Sequence, residues 1–259
     1  MGDHRHGHDP GERLYVPGDS AVHRLPAHTK IVAAFVTVLA VVLTPPTAVW
    51  AFGCYAVLLL GLVLAAGLTA RDVLPRLVIE VPFIAFAVLL PFVGRDPRVA
   101  VGPLELSEPG LWAAWGIIAK ATAGIVVSIV LAATTPTRDL IDGLQRLRLP
   151  AVLVQIVASM VRYVHVVTDE WRRMARARAA RGFTARGPRS WPVLAHSAGT
   201  LFIRSYERGE RVHLAMLSRG YSEQLPPVQS REATAPVASA ALVPGLACLI
   251  CFAALVVAR

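Results

Sequence analysis

Charge is scarce in this sequence of 259 residues: 17% of the residues are charged, whereas 55% are hydrophobic. Soluble proteins carry about a quarter charged residues, so the composition indicates a chain that uses lipid as part of its solvent. Cysteine is also scarce, and Cys54, Cys248 and Cys251 all lie in apolar stretches. A structural zinc site would need a second pair of ligands near Cys248 and Cys251, so we interpret all three as packing residues. These counts exclude disordered and disulfide-rich secreted proteins.

Lysine is almost absent, which excludes a large class of nucleotide-binding enzymes. Neither of the two lysines, Lys30 and Lys120, follows a glycine, so the Gly-Lys step of a phosphate-binding loop is missing. The His-Glu-x-x-His pattern of zinc hydrolases is missing too. The nearest nucleophile motif surrounds Ser197, in a stretch that is typical of helix and not of a strand-to-helix turn. We therefore expect a non-catalytic chain with no metal site and no cofactor of its own.

Long uncharged runs are abundant. Residues 31–70 form a run of 40 residues without a charge, which is about 60 Å of helix. The hydrocarbon core of a bilayer is about 30 Å thick, so this run should cross twice and turn at Pro45-Pro46. A third span is predicted at Leu77–Val93, where Arg76 is placed to pair with Glu80 one helical turn later.

Two further spans are predicted at Leu111–Thr135 and Val237–Ala258. Lys120 lies in the first of them, either as a functional intramembrane charge or, in the interpretation we favour, as a snorkelling lysine. The sequence thus predicts an all-α polytopic membrane protein with about five transmembrane helices. Its expected parts are a His-containing tail (1–28), four membrane helices (29–135), a cytoplasmic coupling-helix domain between spans 4 and 5 (136–236) and a last membrane helix (237–259).

The distribution of basic residues predicts the orientation. Residues 136–236 contain 16 basic and 8 acidic residues, a net charge of +8, and the loop around Arg71 and Arg76 is also basic. The loop 94–110, by contrast, has two arginines and three acidic residues. Cytoplasmic loops of membrane proteins are enriched in Lys and Arg, so we expect a multi-pass plasma-membrane protein with a cytoplasmic N-terminus and an outer C-terminus.

The basic segment 136–236 is expected to be helical. Thr137 can cap a first helix, which Pro150 ends. A longer helical pattern begins at Ala151, apolar at first and then increasingly basic. Because polar residues interrupt its first half, residues 151–167 either enter the membrane or, in the interpretation we favour, skirt the bilayer surface.

A short motif occurs twice in this segment, as Arg181-Gly182-Phe183 and as Arg219-Gly220-Tyr221. In each copy the glycine can adopt the left-handed conformation that ends a helix, and the arginine suits the negative end of the helix dipole. One copy alone is explained as an ordinary helix end. Two copies predict two arginine tips that bind a partner with two equivalent grooves, since a lipid or nucleic-acid surface would require a diffuse basic patch.

Around these residues the sequence resembles the transmembrane T component of energy-coupling factor (ECF) transporters, within the CbiQ family of cobalt systems. The strongest parts of the resemblance run from Arg162 to Phe183 and from Arg204 to Tyr221. Weaker support comes from His23-Arg24-Leu25 and from residues 147–150. A third copy of the motif, Ala185-Arg186-Gly187, lacks the aromatic residue.

The resemblance implies a non-catalytic scaffold for cobalt or nickel uptake. Its helix ends would sit in grooves of two cytoplasmic ABC-type ATPase subunits, which bind the ATP. Its membrane helices would hold a substrate-binding (S) subunit of CbiM type, possibly with a small CbiN-type subunit; nucleic acid is not an expected partner. The implied ATPase-coupling residues are Ala180, Arg181, Gly182, Ser218, Arg219 and Gly220. The implied supporting residues of the coupling helices are Arg162, Asp169, Glu170, Arg204, Glu207, Arg208 and Met216.

Two other functions stay open at this point. An intramembrane enzyme could be built on His165, His196 and His213, although the sequence pairs no nucleophile with a base. An autonomous metal channel could use the histidines of the tail, although the predicted spans contain almost no polar ligands. Co-purified ATPase subunits would separate the coupling scaffold from both. The histidines of the tail are His4, His6 and His8, with His23 and His28 further on.

Overall fold

A computed structural model of the protein describes residues 14–94, 97–101, 104–184, 187–221 and 240–257. The described chain is predominantly α-helical. Its helices are α1 (Ala27–Leu43), α2 (Val49–Ala65), α3 (Ala70–Val73), α4 (Val81–Val93), α5 (Glu108–Thr134), α6 (Thr137–Arg146), α7 (Ala151–Ala180), α8 (Trp191–Leu217) and α9 (Leu242–Val257). Short 3₁₀ segments, Leu74–Glu80 and Pro188–Ser190, precede α4 and α8.

A short antiparallel hairpin precedes α5. It lies within residues 94–110, for which the sequence predicts only a loop. Strand β1 (Arg98–Val101) pairs with β2 (Leu104–Ser107), and Arg98 lies opposite Ser107. The Ser107 side chain then accepts a hydrogen bond from the Gly110 backbone at 3.2 Å, so it caps the first turn of α5.

The described chain forms two compact units. One unit comprises the described residues from 14 to 143 together with residues 240–257, and it contains α1 to α5, the hairpin, most of α6 and α9. The other comprises residues 144–228 and contains α7 and α8.

Proline and glycine set most helix boundaries in the first unit. The first uncharged run is split between α1 and α2 at Pro45-Pro46, as the sequence predicts. Helix α2 ends at Ala65, and Gly67, two residues later, has a φ of 71°, which only glycine adopts without cost. The third predicted span is divided into a 3₁₀ helix (residues 74–80) and α4, which begins at Val81. Each of these two segments has a proline in its first turn.

Small side chains form much of the core of the first unit. Buried alanines of α1, α2, α5 and α9 allow these helices to approach closely, a mode of packing that is frequent between membrane helices. Among the described residues, Tyr55 is the largest fully buried side chain. Its hydroxyl donates to the Ala247 carbonyl at 3.1 Å and lies 3.0 Å from the Thr44 hydroxyl, so one tyrosine joins α2 to α9 and to the end of α1.

The two lysines of the chain join α1 and α5 reciprocally. Lys30 of α1 is 7% exposed, and its ammonium donates to the carbonyl of Thr134, the last residue of α5, at 2.9 Å. Lys120 of α5 donates to the Val42 carbonyl in the last turn of α1 at 2.7 Å. The last carbonyls of a helix have no partner within the helix and form its negative end. Lys120 therefore joins α5 to the end of α1 through a hydrogen bond, a contact that snorkelling alone does not describe.

The prediction that Arg76 pairs with Glu80 is wrong. Arg76 donates instead to the Leu14 carbonyl at 3.0 Å. Glu80 is buried and accepts a hydrogen bond from the Thr122 hydroxyl of α5. Residues 74–80 are a 3₁₀ helix, so positions four apart do not share a face as they do in an α-helix.

Three helical stretches of the described chain are long and apolar enough to cross a membrane: Ala70–Val93, α5 and α7. Helices α1, α2 and α9 are apolar but shorter, with 16 or 17 residues each. These features are those of a multi-pass membrane protein. The count of five spans stays a prediction, because α7 is also long and apolar enough to cross the membrane.

Candidate functional site

Helices α7 and α8 pair in antiparallel fashion. Glu170 of α7 accepts a hydrogen bond from Arg204 of α8 at 2.5 Å, and further along the pair the Tyr221 hydroxyl donates to the Gln155 side-chain oxygen. The earlier residue of α7 (155) contacts the later residue beyond α8 (221), and the later residue of α7 (170) contacts the earlier one of α8 (204), so the two helices are antiparallel. The family resemblance implies only that Glu170 and Arg204 both support the coupling helices. The structure shows that they are direct partners.

Glu170 is the centre of a small ion cluster. It also binds Arg173 of its own helix at 2.8 Å, and its side chain is only 16% exposed. The hydrogen bonds from Arg173 and Arg204 hold the pKa of Glu170 below its ordinary value. Asp169, its neighbour in sequence, lies on a different face and pairs instead with Arg172 at 3.7 Å. The two carboxylates do not act as a pair.

The first arginine motif ends α7 in a Schellman motif. The Phe183 amide donates to the Arg178 carbonyl at 3.1 Å, and the Gly182 amide donates to the Ala179 carbonyl at 3.0 Å. Gly182 has a φ of 76°, the left-handed conformation that the sequence predicts. Ala180, Arg181 and Gly182 are exposed, so the helix ends in an accessible tip.

The second motif repeats this geometry at the end of α8. The Tyr221 amide donates to the Met216 carbonyl at 3.0 Å, and the Gly220 amide donates to the Leu217 carbonyl at 3.0 Å. Gly220 has a φ of 79°. Ser218, Arg219 and Gly220 are exposed. Met216 thus contributes its backbone carbonyl to the tip, and the serine in place of alanine leaves the backbone geometry unchanged.

The Schellman geometry alone is not a functional signature. Helix α2 ends with the same two hydrogen bonds, from Leu68 to Val63 and from Gly67 to Leu64. That end has no arginine, and Ala66 and Leu68 are buried. The two tips of the second unit are distinguished by an exposed arginine directly before the glycine.

Arg178 belongs to the first tip and was missed by sequence reasoning. Its guanidinium lies 5.1 Å from the centre of the Trp171 ring, a cation–π contact across two helical turns. Its Nη1 atom is buried and has no hydrogen-bond partner within the described part of the chain. The seven-residue spacing of Trp171 and Arg178 is the signal that could have indicated this contact, since it places both on one face of α7.

The other predicted residues are more dispersed. Arg162 and Glu207 are exposed and Arg208 is half-buried, and the structure does not bring them into the Glu170 cluster. Ala185 and Arg186 of the third motif copy lie outside the described residues, as do His4, His6 and His8. His23 lies in a folded segment before α1, where it bonds to the Ser20 side chain and the Val16 carbonyl.

The residues proposed for an enzyme are not assembled into a site. His165, His196 and His213 are all exposed on helices, and the Ser197 hydroxyl donates to the Val193 carbonyl of its own helix at 2.9 Å. Within the described ranges, no group of three His, Cys, Asp or Glu side chains is placed to hold a metal ion. The exposed arginine tips are therefore the better candidate site.

A family model described as CbiQ, cobalt transport protein, matches residues 18–229. The chain is 28% identical to a cobalt transport protein CbiQ of Rhodobacter capsulatus over 54% of this chain and 58% of that protein. It is 26% identical to an energy-coupling factor transporter transmembrane protein EcfT of Bacillus selenitireducens, over 80% and 82% of the two chains.

A third relative is a putative fused cobalt transport protein CbiMQ of Methanocorpusculum labreanum, 26% identical over 62% of this chain and 29% of that protein. The chain thus spans less than two thirds of the Rhodobacter and Methanocorpusculum proteins and most of the Bacillus protein. The family match extends over both motifs and over α1 to α8. The chain therefore belongs to the CbiQ family of cobalt transport proteins, the CbiQ-type transmembrane components of ECF transporters.

Proposed function

We propose that this chain is the coupling scaffold of an ECF-type metal importer. Two cytoplasmic ABC-type ATPase subunits bind the tips at Arg181 and Arg219 and hydrolyse the ATP. The membrane helices hold a CbiM-type substrate-binding subunit, with a small CbiN-type subunit as a further partner, and the cargo is cobalt or nickel. The scaffold lies in the plasma membrane with its N-terminus in the cytoplasm and its C-terminus outside.

The observation that carries this proposal is the recurrence of one tip geometry at two distant points of one helix pair. Gln155, which contacts Tyr221 of the second tip, lies 26 residues before Arg181 of the first. At a rise of about 1.5 Å per residue, roughly 39 Å of helix separates these two positions. Two equal tips at this separation suit two equal grooves on two subunits better than two sites within one groove.

The chemistry of each tip suits an acidic groove. Because the Schellman hydrogen bonds already satisfy helix-end carbonyls, the arginine side chain is not needed to cap the helix. An exposed guanidinium offers five donors in a planar fork and binds carboxylates through two parallel hydrogen bonds.

The ion cluster around Glu170 gives the two tips a mechanical connection. Arg204 links α8 to α7 through Glu170, and Tyr221 links the second tip to Gln155. When the ATPases close, each tip moves with its groove. Because the helices are tied at these two places, a displacement of either tip changes the crossing of α7 and α8 and passes to the membrane part.

The names of the relatives support the choice of partner and cargo. The fused relative joins the names CbiM and CbiQ in one chain, which supports a CbiM-type subunit beside this scaffold. The family description supports cobalt as the cargo.

Co-purification tests the proposal. The full chain, tagged and expressed in its native cells, should retain two ATPase subunits and a membrane substrate-binding subunit, identified by mass spectrometry. The chain purified alone should neither bind nor hydrolyse ATP. ATP turnover by the pure chain, or metal uptake by vesicles that contain only this chain, would refute the scaffold and favour an autonomous transporter.

A further inference from the structure

A groove on the first unit lies outside everything assigned so far. It has a volume of about 840 Å³ and is formed by α5, the 3₁₀ segment before α4 and the first turn of α4. Along α5 it extends from Lys120 to Ala132, 12 residues or roughly 18 Å. Val78, Ile79 and Phe83 form its opposite wall and are 66%, 68% and 50% exposed. The groove is therefore an open, apolar channel along a membrane helix.

One end of this groove carries a guanidinium with spare hydrogen-bonding capacity. The Arg76 Nη2 atom donates to the Leu14 carbonyl, whereas the Nη1 atom is buried and has no partner among the residues the structure describes. An unsatisfied buried donor is costly, and more so when it is charged. Because the Arg76 side chain lines the groove, its positive charge makes this end favourable for an anionic ligand.

No carboxylate lines the groove in the described part of the chain. Asp72 accepts a hydrogen bond from Thr69 and also feels the charge of Arg76, and Glu80 accepts a hydrogen bond from Thr122. At the far end the Lys120 ammonium is turned to the Val42 carbonyl, so its methylene stem faces the groove. One end is thus cationic and polar, and the remainder is apolar.

We propose that this groove binds one anionic phospholipid, with the phosphate at Arg76 and an acyl chain along α5 towards Lys120. Half of a bilayer core is about 15 Å thick, close to the roughly 18 Å of the groove. Basic pockets between membrane helices bind anionic headgroups at the cytoplasmic side, where the loop charges place Arg76. This lipid site does not depend on ATPase coupling.

Native mass spectrometry of the full chain tests the site. The purified protein is released from micelles that contain equal amounts of phosphatidylglycerol and phosphatidylcholine. Wild type should retain one phosphatidylglycerol in several-fold preference to phosphatidylcholine. Arg76→Gln should reduce that retention at least threefold, whereas Arg71→Gln, which removes an exposed arginine of α3 outside the groove, should match wild type.

Gly124→Leu keeps the test independent of any folding defect in Arg76→Gln. Gly124 lines the groove, and a Cβ atom there meets no other atom within 4 Å, so a leucine side chain should extend into the groove without a change of charge. It should also reduce retention at least threefold. Equal retention in Gly124→Leu and wild type, or equal retention of the two lipids by wild type, would overturn the site. Displacement by excess glycerol 3-phosphate would overturn the lipid in favour of a soluble phosphate.

Discussion

At the scale of single residues, the left-handed glycines hold the two tips in shape. Gly182 and Gly220 have φ values of 76° and 79°, and open space surrounds the position of a Cβ at each. A substitution there acts through the backbone and not through a clash. The left-handed glycine therefore sets the direction of the backbone directly after each arginine.

Gly182→Ala should destabilise the first tip by about 1 to 2 kcal/mol, because an L-residue in the left-handed conformation is strained. Gly199→Ala is the matched control: Gly199 lies inside α8 with equal space around it, and alanine should stabilise a helix interior by roughly 0.5 to 1 kcal/mol. Thermal unfolding of the purified variants should shift in opposite directions. A shift of the same sign in both would contradict the assigned backbone conformation.

The two lysines should differ in their contribution to the stability of the first unit. Lys30 is buried and donates to three oxygens, those of His23, Thr134 and Thr135. Lys120 is more exposed and donates to the Val42 carbonyl. Charge-assisted hydrogen bonds contribute roughly 1.5 to 3 kcal/mol, and buried carbonyls left without donors add to the loss.

Lys30→Met should therefore lower the unfolding free energy by about 2 to 3 kcal/mol, and Lys120→Met by less. Denaturant unfolding in mixed micelles measures both. A larger loss for Lys120→Met than for Lys30→Met would show that the lysines do not act on the ends of α1 and α5 as described.

At the scale of elements, the contact between α7 and α8 depends on Glu170. Arg204→Glu places two carboxylates opposite each other and should lengthen the distance between α7 and α8 near residue 170, a modest effect because Arg204 is largely exposed. Adding Glu170→Arg should restore the pair. Arg172→Glu is the control, because within the described part of the chain Arg172 pairs with Asp169 of its own helix. Distances between spin labels on α7 and α8 should lengthen for Arg204→Glu and stay unchanged for Arg172→Glu.

The same contact should persist into acidic solution. The pKa of Glu170 is lowered by Arg173 and Arg204, so the carboxylate stays ionised below the ordinary glutamate pKa of about 4.3. A depressed pKa in the folded state adds stability above the unfolded pKa, and this is lost as pH falls through the folded value. Label distances should therefore hold at pH 5 and lengthen only when the pH falls below the ordinary pKa of glutamate. In the Glu170→Gln variant the label distances should not change with pH in this range. If they change as much as in wild type, a group other than Glu170 causes the pH response.

Local signals in the sequence predict the ends of helices well. Pro45-Pro46, Pro150, Gly182 and Gly220 each act within a turn of their own position, so the backbone follows from the residue type. The pairings across the fold are different. Lys30 with Thr134, Tyr55 with Ala247 and Glu170 with Arg204 are separated by 104, 192 and 34 residues, and no local pattern records which residues meet.

At the scale of the whole molecule, membrane helices were easier to locate than to count. Composition identifies a membrane protein, but α1, α2 and α9 are shorter than the predicted spans, and the first half of α7 is as apolar as a span. Length and hydropathy alone cannot separate a short spanning helix from a long helix at the surface. The hairpin was missed because its strands are four residues each, too short for a periodic pattern.

The central claim is that ATP-driven motion enters through two arginine tips. Arg181→Glu with Arg219→Glu reverses the charge at both tips and should abolish the avidity of a partner that binds at two points. Arg176→Glu with Arg211→Glu is the matched control, with the same charge change on exposed residues of the same two helices.

The most direct measurement is the amount of ATPase subunit retained by each tagged variant in native membranes, beside cobalt uptake by the same cells. We predict that the tip variant inserts into the membrane normally, loses most of the ATPase and ceases uptake, whereas the control retains both. If the tip variant retains the ATPases and takes up cobalt at the wild-type rate, the two motifs are only helix ends and the coupling account is wrong.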